Sequence, residues 1–334
     1  MTFDPYTILD RGPIHVDPDG SYLAGRRVMV TGAGGSIGSV ICRHVTRLNP
    51  TELIMLDRDE SALHALQLEM TGQALLDDAS MVLGDIRDRD WISDLLMQRR
   101  PDVVFHAAAL KHQPLLEQYP GEAWKTNVLG TWNLLSGAMD ADVEVVVNIS
   151  TDKAAVPNCA LGASKRIAER LVSWCGPRRY MSVRFGNVFG SRGSVMDAFA
   201  AQLAADVPLT VTDPDVVRYF MTADEAVSLV IHAGAIGWSG EVLVLDMGAP
   251  VRIADIAERM IFMSGKDGKI TYTGLRAGER LGESRLGVGE EDVRPLHPLI
   301  SQVRVPGLPP FALWCVLCAD INTSKIKQEM LTLC

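Results

Sequence analysis

The reactive potential of this chain is concentrated in Ser150-Thr151-Asp152-Lys153 and in Leu161-Gly162-Ala163-Ser164-Lys165, which follows it closely. Together they supply a hydroxyl, a carboxylic acid, a candidate base and a second lysine. The Thr151 hydroxyl can hydrogen-bond an alcohol of a bound substrate. If the backbone is still extended at Asp152 and Lys153, their side chains point in different directions and serve different carbons of one molecule. Lys165 lies one helical turn beyond Leu161, where its ammonium lowers the pKa of a nearby acid. Leu161 cannot move a proton. The same residue types also suit a plain capping turn ahead of a closely packed helix, and the surrounding elements decide between the two.

Those elements alternate. Short apolar runs at 27–31, 53–56, 81–83, 103–105, 143–149 and 181–185 are separated by stretches of helical spacing, such as 37–48 and 61–70. The alternation predicts an α/β fold: a Rossmann-like, doubly wound parallel sheet covered on both faces, with a smaller substrate-binding lobe. The longest run, 143–149, delivers Ser150 to Lys153 at the carboxyl end of a central strand, the edge at which open α/β sheets bind ligands. Residues 1–24 read as a polar lead-in and 25–186 as the dinucleotide-binding domain. Residues 187–310 read as a lobe interleaved with the last strands, holding one further strand at 241–245. The tail, 311–334, differs in composition and has no assigned role.

Directly after the first run comes Gly32-Ala33-Gly34-Gly35-Ser36-Ile37-Gly38. Gly32, Gly35 and Gly38 suit a tight turn, a close approach of backbone to a pyrophosphate, and packing of helix against strand. Ser36 and Ile37 lie where the following helix begins, and its free N–H groups and partial positive charge face the phosphates. The position between strand and helix is the context that gives a glycine pattern weight. Asp57 ends the second run, 19 residues after Gly38. Its carboxylate can accept from both ribose hydroxyls and would repel a 2′-phosphate, which favours NAD. Arg58 can pair with such a phosphate and leaves NADP open. Asp85 and Ile86 flank the adenine or form a surface turn.

A formal net charge of −9 argues against a nucleic-acid partner. No stretch approaches the ~20 apolar residues of a membrane helix, and the first residues lack the order of a signal peptide, so a cytoplasmic protein is expected. The six cysteines are scattered, as suits reduced thiols. Cys315 and Cys318 read as two thiols in an apolar tail, and no metal is expected.

Taken together, Thr31 to Gly38, Ala107-Ala108-Ala109-Leu110-Lys111-His112, Lys125-Thr126-Asn127-Val128-Leu129-Gly130-Thr131, Ser150 to Lys153, Arg184-Phe185-Gly186-Asn187-Val188, Arg218-Tyr219-Phe220-Met221-Thr222 and Gly274-Leu275-Arg276-Ala277-Gly278-Glu279 resemble the extended short-chain dehydrogenase/reductase superfamily. Within it the chain resembles the nucleoside-diphosphate-sugar 4,6-dehydratases, nearest to the UDP-N-acetylglucosamine 4,6-dehydratases of capsule and O-antigen synthesis. Some of these carry a membrane-embedded N-terminal half, and Leu9 to Ile14 resembles the segment that joins it. Most of the superfamily has a tyrosine at the position of Leu161; some members of this subgroup have methionine.

The resemblance implies a redox-neutral dehydration of a UDP-sugar. Lys153 would be the base at C5, Asp152 the acid at C6, and Thr151 would polarise the C4 oxygen. Lys153 must then be neutral at some point, with Lys165 and the oxidised nicotinamide pushing its pKa down. In place of a phenolate, Asp152 or a water must take the C4 proton. Lys165 would reach the nicotinamide ribose. Ala107, Ala108 and Asn127 would complete the cofactor site. Lys111 would face the sugar, and Asn187, Arg218, Arg276 and Glu279 would bind the nucleotide end. Outside that context Arg218 would simply pair with Asp213 or Asp215. A homo-oligomer is expected on the same ground. The chain departs from the family at Pro157-Asn158-Cys159 and at Arg280-Leu281-Gly282-Glu283-Ser284. A C5-inverting dehydratase or an epimerase could use the same C4 ketone. A non-catalytic nucleotide-binding partner in glycan assembly is the alternative of another class.

Overall fold

The structure, a computed structural model, describes residues 3–73, 78–317 and 325–334. Its centre is an eight-stranded sheet. In chain order the strands are β1 (Arg27–Thr31), β2 (Glu52–Asp57), β3 (Met81–Leu83), β4 (Val103–His106), β5 (Val145–Ile149), β6 (Arg179–Arg184), β7 (Glu241–Leu245) and β8 (Ile300–Arg304). They lie in the spatial order β8-β7-β6-β5-β4-β1-β2-β3. All neighbours run parallel except β8, which returns antiparallel along β7. The order reverses between β1 and β4, so the crevice of a doubly wound fold opens above their carboxyl ends.

Strand periodicity divides the core. Val28 and Val30 of β1, and Val145 and Val147 of β5, enter one buried cluster with helices Gly38–Thr46 and Ala223–Ile236. Met29 and Val146 enter the other, with helices Arg89–Arg99, Thr131–Asp140 and Ala160–Trp174. A third cluster fills the lobe with Phe199, Leu209, Phe220 and Ile256.

Four details differ from the expected pattern. The run 143–149 gives the sheet only Val145–Ile149, with Val143 buried just before it. Strand β8 gave no continuous apolar run, because Ser301 and Gln302 stand side by side between Ile300 and Val303 at the edge of the sheet. The lead-in is tied down: Ile8 and Leu9 are buried in the lobe, and Arg11 pairs with Glu225 at 2.6 Å. The tail packs through Leu313, Val316, Ile326 and Met330 against the cluster around helix Ala160–Trp174. The expectation for Cys315 and Cys318 rests on side chains outside the described residues. No described helix is long and apolar enough to cross a membrane.

Candidate active site

The carboxyl edge of the sheet opens into a cavity of about 660 Å³. Gly32, Gly35, Ser36, Ile37 and Gly38 line one end, Thr151, Lys153, Leu161 and Lys165 the middle, and Lys111 and Asn187 the side toward the lobe. Asp57, Arg58, Asp85, Ile86, Ala107 and Ala108 also border it.

The glycine loop is shaped by contacts that exclude side chains. Gly32 has φ +68°, and a Cβ there would lie 2.7 Å from the Ala108 backbone. A Cβ on Gly38 would overlap the carbonyl oxygen of Gly32. The Gly34 N–H donates to Asp57 Oδ2 at 2.9 Å, so the carboxylate at the end of β2 also braces the loop. Arg58 stands 3.8 Å from Asp85. Across the loop, the Arg192 N–H donates to Ser36 Oγ at 3.0 Å and its guanidinium donates to Gly34 O. Arg192 escaped the sequence reading because it sits in a loop whose reach over the glycines depends on tertiary packing.

The Thr151 backbone is extended, and the chain then turns at once into a 3-10 turn over Asp152–Ala154. This overturns the expected divergence of Asp152 and Lys153. The turn brings Lys153 Nζ to 3.1 Å from Asp152 Oδ1, which also accepts from Thr151 Oγ1 at 2.9 Å. Asp152 is 1% exposed and its Oδ2 has no partner among the described residues. Glu283 approaches from the lobe, its Oε1 3.8 Å from Lys153 Nζ. Burial works against the Lys153 charge, but Asp152 and Glu283 outweigh it and hold the ammonium above the ordinary lysine range. The expected depression by Lys165 is thus reversed by two carboxylates, one of them invisible as a partner in sequence. Burial instead pushes Lys165 itself down to about 8, against the pull of Glu169. Burial and Arg192 lower Lys111.

Behind Thr151 lies a buried charge network. Ser150 Oγ donates to Glu169 at 2.6 Å. Arg184, fully buried, forks onto Glu169 at 3.1 and 2.7 Å and reaches Glu290 at 2.7 Å. Arg166 also pairs with Glu290, at 2.8 Å. The bidentate geometry fixes the end of β5, helix Ala160–Trp174 and the 285–290 loop relative to one another. The helix starts at Cys159, whose Sγ accepts from the Gly162 N–H at 3.3 Å, in place of an oxygen cap. Glu117 adds a second acceptor for its first turn, taking the Ala160 N–H at 2.7 Å.

Four expected contacts, Asn127, Arg218, Arg276 and Glu279, do not line this cavity. Asn127 is buried behind it, accepting from Leu110 N–H at 2.8 Å and donating to Leu110 O and Ser164 Oγ, both at 3.0 Å. It clips the 107–112 loop to helix Ala160–Trp174, and these bonds satisfy the buried amide's donors and acceptor. Asn127→Ala is expected to lower stability by about 1–3 kcal/mol, measured by urea denaturation. Arg218 pairs with neither Asp213 nor Asp215 but with Glu279, at 3.2 Å, and donates to Leu281 O at 3.2 Å. Glu279 also accepts from Thr212 Oγ1 and from Arg276 N–H, both at 3.0 Å. Arg218 and Glu279 therefore brace the lobe, and Arg276 lies exposed beside them.

Residues 28–304 match the family described as polysaccharide biosynthesis protein. The chain is 41% identical over 302 residues to a probable polysaccharide biosynthesis protein, EpsC, of Bacillus subtilis, covering 88% of this chain and 50% of that protein. The chain thus spans about half the length of the first curated relatives it matches. Among solved structures, Pen from Bacillus thuringiensis superposes with a TM-score of 0.77 at 31% identity, over 85% of this chain and 90% of that one. DesIV of Streptomyces venezuelae, a dTDP-glucose 4,6-dehydratase with NAD bound, superposes with a TM-score of 0.68 at 25% identity, over 78% and 88% of the two chains.

Proposed function

The chain belongs to the polysaccharide biosynthesis protein family, and from that premise we propose that it is an NAD-dependent nucleoside-diphosphate-sugar 4,6-dehydratase. Its proposed substrate is UDP-N-acetylglucosamine, converted to a UDP-4-keto-6-deoxy-hexosamine. The observation that carries the reading is the hydrogen-bonded run Thr151–Asp152–Lys153 at the cavity that the glycine loop closes. The likeness to a solved 4,6-dehydratase supports it.

The residues fit a dinucleotide. The side-chain-free backbone at Gly32, Gly35 and Gly38, ahead of helix Gly38–Thr46, suits a diphosphate. Asp57 borders the same cavity and suits the adenosine ribose. Lys165, in the middle of the cavity, suits the second ribose. Bound NAD would supply removal of the C4 hydride and its return at C6.

The protein's own residues would handle the protons. Thr151 Oγ1 donates to Asp152, so its free lone pair can accept the hydrogen of the C4 hydroxyl. That proton passes through Thr151 to Asp152, which needs no phenol at position 161. Once protonated, Asp152 donates to the departing C6 hydroxyl, which leaves as water. Loss of the Asp152 charge removes one of the two carboxylates that keep Lys153 protonated, easing release of the Lys153 proton to bulk water, and the neutral amine then accepts the C5 proton. Lys153 then returns a proton to C5 as hydride reaches C6. Lys111 and Asn187 would hold the sugar diphosphate.

Purified protein incubated with UDP-N-acetylglucosamine and NAD is expected to give a 4-keto-6-deoxy sugar, identified by NMR. A C4 epimer as the product would replace this reading with an epimerase. Unchanged substrate in the presence of bound NAD and nucleotide would favour a non-catalytic partner.

A further inference from the structure

We propose that Glu283 is a positioning residue that acts on the reaction through Lys153, gripping its ammonium from the lobe side of the cavity. The proposal deepens the dehydratase reading and rests on it for the role of Lys153. Glu283 is 4% exposed at its side chain, and Lys153 Nζ is its only ion-pair partner among the described residues. None of those residues donates a hydrogen bond to its carboxyl group. A carboxylate buried with so few donors is costly, yet the loop that carries it is firmly set. Leu281 O accepts from Val217 N–H at 2.7 Å and from Arg218, and Arg218 pairs with Glu279 two residues before it. The loop therefore presents Glu283 to Lys153 by design of its anchors rather than by chance of a flexible side chain.

The two residues form part of a wall between two spaces. Lys153 borders the cofactor cavity. Glu283 borders a neighbouring cavity of about 400 Å³ with Tyr219, Arg280 and Arg285. Gly282 and Ser284, on either side of Glu283, leave that space unfilled. The charged groups that bear on the pair are Asp152 from the turn, Arg218 from its short strand and Arg280 from the same loop, and the titratable Cys159 thiol at the helix start is kept neutral by burial. Asp152 supports the Lys153 charge and Arg218 opposes it. Burial raises the Glu283 carboxyl, and Lys153 counters that. With Asp152 protonated during the reaction, Glu283 is the carboxylate left to keep the lysine in place and to set when it gives up its proton.

The test is the titration of Lys153, followed by NMR of 13C-labelled lysine and assigned with Lys153→Arg. In the parent protein the midpoint should lie above that of an ordinary lysine. In Glu283→Gln it should fall by roughly a unit or more, and Glu283→Asp should restore part of the shift. The limb of the kcat profile that belongs to Lys153 should move to lower pH in Glu283→Gln, with KM for the UDP-sugar nearly unchanged. An unmoved midpoint in Glu283→Gln overturns the proposal, even if the enzyme dehydrates its substrate. A moved midpoint in a protein that never turns over UDP-N-acetylglucosamine upholds the grip of Glu283 on Lys153 and sinks the dehydratase reading instead. Should Glu283→Gln fail to fold, a parent midpoint at or below the ordinary lysine value overturns the proposal by itself.

Discussion

Lys153→Ala is expected to cut kcat for 4-keto-6-deoxy sugar formation by about 10²–10⁴-fold, the range in which a positioned proton-transfer group contributes. NAD and nucleotide affinity, measured by calorimetry, should survive, because the glycine loop is braced by Asp57 and not by Lys153, whose partners are Asp152 and Glu283. Lys153→Arg should be nearly as inactive. A guanidinium can satisfy Asp152 and Glu283, yet it stays protonated at any working pH and cannot accept the C5 proton. If Lys153→Arg kept most of the activity, the ammonium would be serving as a fixed charge and the base would have to be sought elsewhere. The ion pair also has a stability side. The Lys153 pKa is raised on folding, so its contribution is complete below the unfolded lysine value and is lost only as pH climbs through the folded one. At neutral pH the pair is therefore intact.

Arg184→Met should be the most destabilising single change near the site, at about 3–5 kcal/mol by chemical denaturation, because it removes the fully buried cation that two buried carboxylates share and leaves them only Arg166. The penalty should shrink in acid. Although burial pulls the other way, Arg184 and its neighbours hold the Glu290 carboxyl below its ordinary value. Its stabilising share is thus present above the unfolded glutamate pKa and lost as pH falls through the lower folded value. In Arg184→Met that acid-side loss should be smaller, since Glu290 would keep only Arg166 and the Gly287 N–H as partners. A stability difference that stayed constant from neutral to acid pH would mean that Arg166 alone keeps Glu290 depressed.

What was legible in the sequence was whatever local chemistry dictates. The βα alternation appears because strands buried on both faces are nearly all apolar, as Val145 to Val147 are. The glycine loop appears because Gly32 and Gly38 sit where a Cβ would collide with backbone. The Asp152–Lys153 site was legible as a set of residues but not as a shape. An extended chain and a 3-10 turn use the same four letters, and only the turn joins the acid to the base. Contacts made across long stretches of chain were not legible. Asn127 finds Leu110, Arg218 finds Glu279, and Glu283 crosses from the lobe to Lys153. Each depends on which loops the sheet brings together. Strand β8 was missed because three of its five side chains, Ser301, Gln302 and Arg304, are polar, the usual composition of a strand with one neighbour.

That last strand carries a consequence for how the protein is made. Its partner β7 is complete at Leu245, but the hydrogen bonds along the far side of β7 wait for Ile300–Arg304, some fifty residues later on the ribosome. During that interval a strand apolar from Val242 to Leu245 presents an open edge, a template for pairing with another chain. Late, long-range closure of this kind slows folding. Nascent chains stalled between 245 and 300 should therefore be the species that chaperones capture and that aggregate when chaperones are scarce, whereas chains extending past residue 304 should escape both fates.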